Sequence, residues 1–251
     1  MMNQKERLQQ AITDLEAQRA VLGDETVDAA IDGLRQKIAA LGSDGHQPDS
    51  AMDGERKIVT VMFADIAGFT SMAEKMDPEV VRDMMNACFE ALVPIVQKYG
   101  GTVDKFIGDE IMALFGAPVA HENDPERALR AALDMMIELV RFNTDRNTDL
   151  GLHFGINTGL VLAGGIGAGN RQEYSVMGDA ANLAARLEEA SERGQIFVGP
   201  DTYRLTAPLF EFTALEPLKL KGKADPVPVY QLLSTKAQPG NIRGLESHGI
   251  L

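Results

Sequence analysis

Two acidic residues stand where apolar segments of this chain turn. Asp65 closes the apolar run of TVMFADIAGFT (residues 60–70), and Asp109 lies between the two apolar runs of TVDKFIGDEIMALFG (102–116). If the strands are neighbours, both carboxylates project from one sheet edge into one place. Hard divalent cations such as Mg²⁺ take carboxylate and phosphate oxygens as ligands, so the pair fits a metal-assisted phosphoryl site. Ordinary turn chemistry is the more common reason for an Asp at such positions.

Glycines follow the first of these carboxylates and recur later in the chain. The loop after Asp65 contains Gly68, Phe69 and Thr70, and its backbone N–H groups suit the tail of a triphosphate. The segment AGGIGAGN (163–170) lacks the Lys-Ser or Lys-Thr of a P-loop and the glycine spacing of a dinucleotide fingerprint. We therefore predict that it is a flexible connection between strands.

Basic and amide side chains supply the remaining polar chemistry. Lys105 lies four residues before Asp109 on the same strand face, although edge strands also carry Lys defensively. Asn182 and Arg186 are four apart on a predicted helix and share one face. An amide and a guanidinium there can orient a ribose and hold phosphate charge, or form an ordinary exposed face. Lys221 adds positive charge in LKLKGKADP, where a solvated turn is the alternative.

The elements that must position these residues alternate between strands and helices, which predicts an α+β fold with a mixed β-sheet flanked by helices. Asp-Pro pairs at 77–78 and 124–125 mark helix starts, and Gly108-Asp109 marks a hairpin. The predicted strands are 57–64, the two arms of the 102–116 hairpin, several within 150–177 broken by glycines, 195–198, 210–220 and 227–233. The predicted helices are 77–99, 124–142, one beginning near 178 and closed by Gly194, and 201–206.

The chain is predicted to contain four segments. Residues 1–42 have a heptad-like apolar spacing typical of coiled-coil helices, 43–55 form a linker, 56–234 form the main domain, and 235–251 form a loose tail. The N-terminal helices either pack as an extension or pair with a partner and transmit a signal.

Bulk properties exclude some classes of function. The net charge of −13 disfavours binding to nucleic acid or acidic membranes. No apolar run approaches the roughly 20 residues that span a bilayer, and MMNQKERLQQ lacks the apolar core of a signal peptide. The single cysteine, Cys88, cannot form an internal disulfide. We expect a cytoplasmic protein with no direct membrane insertion.

The motifs, in this order, resemble the catalytic domain of class III nucleotidyl cyclases. The resemblance covers residues 57 to 233 and is carried by FADIAGFT, KFIGDEIMALFG, YSVMGDAANLAARL and LKGK followed by VY. It implies a ferredoxin-like βαββαβ core and an adenylyl cyclase, which converts ATP to 3′,5′-cyclic AMP and pyrophosphate. The family's active sites are shared across a head-to-tail dimer, which implies a homodimer with two equivalent sites.

The resemblance also implies a role for each polar residue at the metal and phosphate end. Asp65 and Asp109 would hold two Mg²⁺ or Mn²⁺ ions, with the backbone carbonyl of Ile66 as a further ligand. Arg186 would stabilise charge on the phosphate under attack, and Lys221 would hold the terminal phosphates.

At the nucleoside end, the resemblance implies that Lys105 and Ser175 contact the purine and that Asn182 orients the ribose. Most members have Asp where this chain has Ser175, and a hydroxyl both donates and accepts, so it discriminates less between bases. Lys105 favours ATP, since guanylyl cyclases of the family usually have Glu there. A hydroxyl residue at position 175 also resembles the pattern of subclass IIIb, whose members often respond to bicarbonate. Bicarbonate regulation is therefore a hypothesis for this chain.

Two other functions stay open at this point. One is a catalytically silent nucleotide-binding or regulatory dimerisation domain. The presence of all of the expected polar residues argues against it. The other is a cyclase with relaxed selectivity between ATP and GTP; a strict guanylyl cyclase is disfavoured by Lys105.

Overall fold

The computed structural model describes Thr13 and residues 54–68, 76–168, 171–219 and 225–236, with the backbone alone at 166–168 and 171–173. The chain divides into two compact units, Met1–Ser50 and Ala51–Leu251, and every element below belongs to the second. The predictions for 1–42, for the linker up to residue 53 and for the tail from residue 237 lie outside the described residues.

Eight strands and four helices make up the described part of the second unit. The strands are β1 (Glu55–Ala67), β2 (Thr102–Ile107), β3 (Glu110–Phe115), β4 (Gly151–Ala168), β5 (Arg171–Met177), β6 (Ile196–Val198), β7 (Phe210–Ala214) and β8 (Tyr230–Thr235). The helices are α1 (Pro78–Lys98), α2 (Asp124–Arg146), α3 (Asp179–Ala190) and α4 (Pro200–Thr206). None of these helices is long and apolar enough to cross a bilayer.

The strands form one mixed sheet in the order β2-β3-β1-β4-β6-β8-β7, with β5 also paired to β4. β1 is central and antiparallel to both β3 and β4, whereas β4 and β6 are parallel. The first six elements, β1-α1-β2-β3-α2-β4, give the spatial order β2-β3-β1-β4 of a ferredoxin-like βαββαβ unit. The predicted α+β class is therefore confirmed.

Local sequence signals set the helix starts. Asp77 caps α1, since its carboxylate accepts a hydrogen bond from the backbone N–H of Glu79 at 2.9 Å, and Pro78 occupies the first turn. α2 begins at Asp124 but continues one turn beyond the predicted end, to Arg146. It ends at Asn147, which adopts a left-handed conformation with φ 53°.

The glycines of β4 do not break it, contrary to the prediction. β4 is a continuous strand of 18 residues, and its last residues, 163–168, pair with β5 instead of forming a flexible connection. Two of its glycines mark close approach of α3. A Cβ at Gly155 would lie 2.0 Å from the Ala184 carbonyl oxygen, and one at Gly159 would lie 2.8 Å from the Ala180 Cβ. Glycine in this strand thus accommodates a helix.

The two faces of the sheet pack against different helices. From β1, Met62 and Ala64 join the core formed with α1 and α2, while Val61 and Phe63 join the core formed with α3. Because side chains alternate along a strand, Asp65 continues the series that faces α3.

The single cysteine lies in the α1 part of this core. Cys88 is 1% exposed, and burial raises the pKa of its thiol to about 11. A thiol with so high a pKa is neutral and unreactive, as expected for a cysteine that serves only as a small apolar side chain.

Candidate active site

The carboxylate of Asp65 lies between polar residues from the two neighbouring strands. In the sheet register, Asp65 is opposite Glu110 of β3 and opposite His153 of β4. Directly opposite side chains of antiparallel strands share a face, so all three project toward α3. The Nε2 atom of His153 lies 3.0 Å from the Oδ2 atom of Asp65.

His153 connects Asp65 to the end of α3. Its Nδ1 atom lies 3.3 Å from Oε1 of Glu188 and 3.1 Å from Oγ of Ser191, and the Ser191 hydroxyl donates to the Glu188 carbonyl at 2.8 Å. The pKa of His153 is raised, first by its hydrogen bond to Asp65 and then by the charge of Glu188, against the opposing effect of burial. The imidazole therefore tends to carry a proton between two carboxylates.

Three carboxylates around this site, those of Asp109, Glu110 and Glu188, have raised pKa values because they are partly buried and close to other carboxylates. Burial is the main cause for Asp109, followed by the charge of Asp65. Burial raises the pKa of Glu110 to about 7, with the charges of Asp65 and Asp109 adding to it. Burial also raises the pKa of Glu188 to about 7. The imidazole of His153 contacts two of these carboxylates, Asp65 and Glu188, and its charge opposes the rise in pKa at Asp109 and Glu110.

This donor set fits a hard divalent cation. Asp65 and Asp109 supply carboxylate oxygens close enough to raise the pKa of Asp109, and a cation is the natural compensation for such mutual repulsion. A second set of donors, from Asp65, His153 and Glu188, has ligand atoms within 4.8 Å of one another. The pairing of β1 with β3 ends at Asp65, one residue before Ile66, whose role as a carbonyl ligand stays a prediction.

Lys105 and Ser175 meet through a residue that the sequence did not single out. The Ser175 hydroxyl donates to Oδ2 of Asp104 at 2.7 Å, and Nζ of Lys105 lies 3.2 Å from the same oxygen. The structure therefore brings together the two residues expected to contact the purine, although β2 and β5 are not adjacent in the sheet.

Asn182 and Arg186 lie on the outer side of α3. Asn182 is exposed and Arg186 is half-buried, whereas the side of α3 that includes Ala180, Ala184 and Leu187 is buried. Within the described residues, neither side chain is hydrogen bonded or ion paired to Asp65 or Asp109.

Only part of the predicted phosphate-binding loop is described. Gly68 follows β1 with a φ of 92°, a left-handed conformation that favours glycine. The predictions for Phe69, Thr70 and Lys221 lie outside the described residues.

Comparison with known proteins decides the family. Residues 53–234 match the family described as the adenylate and guanylate cyclase catalytic domain. The chain belongs to this family. It is 32% identical over 184 residues to adenylate cyclase 1 of Rhizobium meliloti (strain 1021), a match that covers 71% of this chain and 28% of that relative. The chain therefore spans little more than a quarter of that protein's length.

Solved structures of cyclases have the same fold. The adenylyl cyclase CyaB from P. aeruginosa is 34% identical, with a TM-score of 0.68 over 73% of this chain and 97% of that chain. The guanylyl cyclase Cya2 is 33% identical, with a TM-score of 0.71 over 75% of this chain and 97% of that chain. Both matches confirm the predicted cyclase fold.

Four polar residues of the cyclase domain were not found from the sequence: Asp104, Glu110, His153 and Glu188. His153 has no metal-ligand spacing along the chain, because its partners Asp65 and Glu188 come from other elements. The sequence does contain an indication of this residue's role, since His153 is the one polar side chain in an otherwise apolar strand segment, GLHFGI.

Proposed function

We propose that this cyclase domain converts ATP to 3′,5′-cyclic AMP and pyrophosphate. The observation that carries the proposal is the position of Asp65 and Asp109 at one end of the sheet, where Asp65 is opposite Glu110, the residue after Asp109, in a chain of the cyclase family. The family's relatives include adenylate cyclases, and Lys105 supports ATP as the substrate because its ammonium can only donate hydrogen bonds.

The residues that would hold divalent cations are Asp65 and Asp109, with the carbonyl of Ile66. Two bound Mg²⁺ or Mn²⁺ ions would supply positive charge that stabilises the attacking 3′-oxygen and the leaving pyrophosphate. The closeness of these two aspartates supports this assignment, because the mutual repulsion of the Asp65 and Asp109 carboxylates is relieved by positive charge.

In the proposed reaction, the ribose 3′-oxygen forms a bond to the α-phosphorus. The bond between that phosphorus and the bridging oxygen of the β-phosphate breaks, pyrophosphate leaves in line, and the hydroxyl proton is released to solvent. Asn182 orients the ribose, and Arg186 stabilises the charge that develops on the α-phosphate. The chain's contribution is therefore positioning and charge stabilisation.

Further residues are proposed to bind the rest of the nucleotide. Lys105 and Ser175 contact the adenine. The loop through Gly68, Phe69 and Thr70 wraps the phosphates, and Lys221 holds the terminal ones.

The active sites are proposed to lie between two copies of the chain, arranged head to tail. Within the part of the chain that the structure describes, Asn182 and Arg186 form no hydrogen bond or ion pair with Asp65 or Asp109, which supports an arrangement in which a second copy brings them to the same substrate. A surface suited to pairing is present, since Ile58, Leu160 and Met177 are 62%, 54% and 55% exposed. Analytical ultracentrifugation would measure the mass, and a strictly monomeric active enzyme would contradict the shared site.

The first experiment is to identify the product. Purified protein is incubated with ATP or GTP and with Mg²⁺ or Mn²⁺, and the products are separated by chromatography. We expect cyclic AMP from the wild type and none from Asp65→Asn, which keeps the shape of the side chain but removes its charge. Asp83→Asn is the matched control, because Asp83 is exposed on α1 and is ion paired to its neighbour Arg82. Absence of any cyclic product at all protein concentrations would favour the silent nucleotide-binding domain.

A second candidate, a cyclase that also accepts GTP, is favoured by one observation. Ser175 replaces the acceptor-only Asp of most relatives, and the chain is 33% identical to a guanylyl cyclase. The same chromatography separates cyclic GMP from cyclic AMP and measures the ratio of the two.

Ser175 also motivates the proposal that bicarbonate stimulates the enzyme. The test is turnover against bicarbonate concentration at fixed pH and ionic strength. A flat curve would reject it.

A further inference from the structure

The hydrogen atom of the Ser175 hydroxyl is already committed within the chain. Its Oγ atom lies 2.7 Å from Oδ2 of Asp104, and an ionised carboxylate only accepts hydrogen bonds, so Ser175 is the donor. Both groups are removed from water: Ser175 is 3% exposed, and the side chain of Asp104 is 1% exposed. A short hydrogen bond to a buried carboxylate is strong, which fixes the orientation of the hydroxyl.

A β-bulge explains how Asp104 reaches this position. In the pairing of β2 with β3, Val103 is opposite Ala113 and Lys105 is opposite Met112, so Asp104 is the extra residue. A bulge re-aims side chains that strict alternation would send to opposite faces. As a result, Asp104 and Lys105 act in one place, with Nζ of Lys105 3.2 Å from the same Oδ2 atom that Ser175 contacts.

We propose that Asp104 is a positioning residue that sets base specificity, because it makes Ser175 a hydrogen-bond acceptor and so favours adenine over guanine. This inference rests on the proposed function, in which Ser175 and Lys105 contact the purine. A serine hydroxyl has one hydrogen, and with that hydrogen on Asp104 only its lone pairs face the base. The exocyclic amine of adenine donates to such an acceptor, whereas the corresponding carbonyl of guanine is an acceptor itself.

Lys105 completes the same selection. An ammonium donates to the unprotonated ring nitrogen of adenine, whereas guanine has an N–H at that position. Asp104 fixes the lysine nitrogen beside Ser175, so one buried carboxylate orients both the acceptor and the donor that adenine requires. The Asp of most relatives is thus replaced here by two residues, Ser175 and Asp104, that together present an acceptor.

The test is the ratio of kcat/KM for ATP to kcat/KM for GTP. In Asp104→Ala the Ser175 hydroxyl can rotate and donate to guanine, so we expect the ratio to fall about 10-fold, as expected for one mispaired buried hydrogen bond. Ser175→Ala should lower the ratio similarly, and adding Asp104→Ala to it should change the ratio by clearly less than Asp104→Ala does alone, since only the orientation of Lys105 is then lost. Thr102→Ala is the matched control, since Thr102 is an exposed residue of the same strand.

The ratio separates this role from a structural one. Loss of folding or packing would lower turnover of both nucleotides together and leave the ratio unchanged. A ratio within twofold of the wild type in Asp104→Ala, an equally large change in the Ser175→Ala background, or a wild type without preference for ATP would each overturn the inference.

The inference and the proposed function can fail separately. If the wild type forms no cyclic nucleotide, the proposed function fails, and the same variants are compared by calorimetric titration with ATP and GTP. An Asp104-dependent preference for ATP in binding would then still support the inference, and equal affinities or no binding would overturn it.

Discussion

The stability of the free domain should fall as the pH rises, because the fold holds Glu188 in a place that disfavours its charge. Burial raises the pKa of Glu188 from 4.5 to about 7, and its side chain is only 10% exposed. Between these two pH values the folded state binds more protons than the unfolded state, so the free energy of unfolding decreases with increasing pH. Above about pH 7 the full cost is present. At about 1.4 kcal/mol per pKa unit, that cost is on the order of 3 kcal/mol.

Glu188→Gln removes the charge and should remove this dependence. Part of the cost is already present near pH 5.5, so the variant should gain about 2 kcal/mol relative to the wild type between about pH 5.5 and pH 8.5. Urea unfolding, followed by circular dichroism in the presence of EDTA, gives both free energies. Glu189→Gln is the matched control, since Glu189 is the exposed neighbour on the same helix. A stability difference that is equal at the two pH values, or larger at the lower one, would refute the reasoning.

Three further predictions concern packing, charge stabilisation and metals. Gly155→Ala should lower the free energy of unfolding by about 2–3 kcal/mol, since its Cβ would meet backbone atoms of α3 at 2.0 and 2.2 Å; thermal unfolding measures this. Arg186→Ala should lower kcat about 10²- to 10³-fold with KM for ATP little changed, as steady-state kinetics would show. Removing divalent cations with EDTA should abolish product formation; added Mn²⁺ should restore it in the wild type but not in Asp109→Asn.

The sequence was informative where one residue and its neighbours along the chain carry the signal. Asp65 and Asp109 stand out in the sequence because each lies where an apolar run ends, and the Asp-Pro pairs predict the starts of α1 and α2, which the structure confirms. The sequence predicts helix ends less well than helix starts, as the end of α2 shows, because a helix end depends on how far the helix continues to pack against the rest of the fold.

Features that depend on several strands were not visible in the sequence. His153 acquires its meaning from the register of β1 with β4, and Asp104 from a bulge in the β2–β3 pairing. Gly155 illustrates the same limit, since a glycine that admits a helix looks in the sequence like one that ends a strand. The parts of the candidate site that depend on contacts between residues far apart in the chain therefore cannot be predicted from short motifs.

The isolation of the one thiol has a practical consequence for studying this protein. Cys88 is the only cysteine in the chain, and it is buried and protonated at neutral pH. Thiol-reactive dyes should therefore leave the native protein unlabelled, so a cysteine introduced at an exposed position outside the proposed pairing surface, such as Val140 of α2, would carry the probe alone. Energy transfer between two such labelled copies would report association of the domain in real time, without first removing a native cysteine.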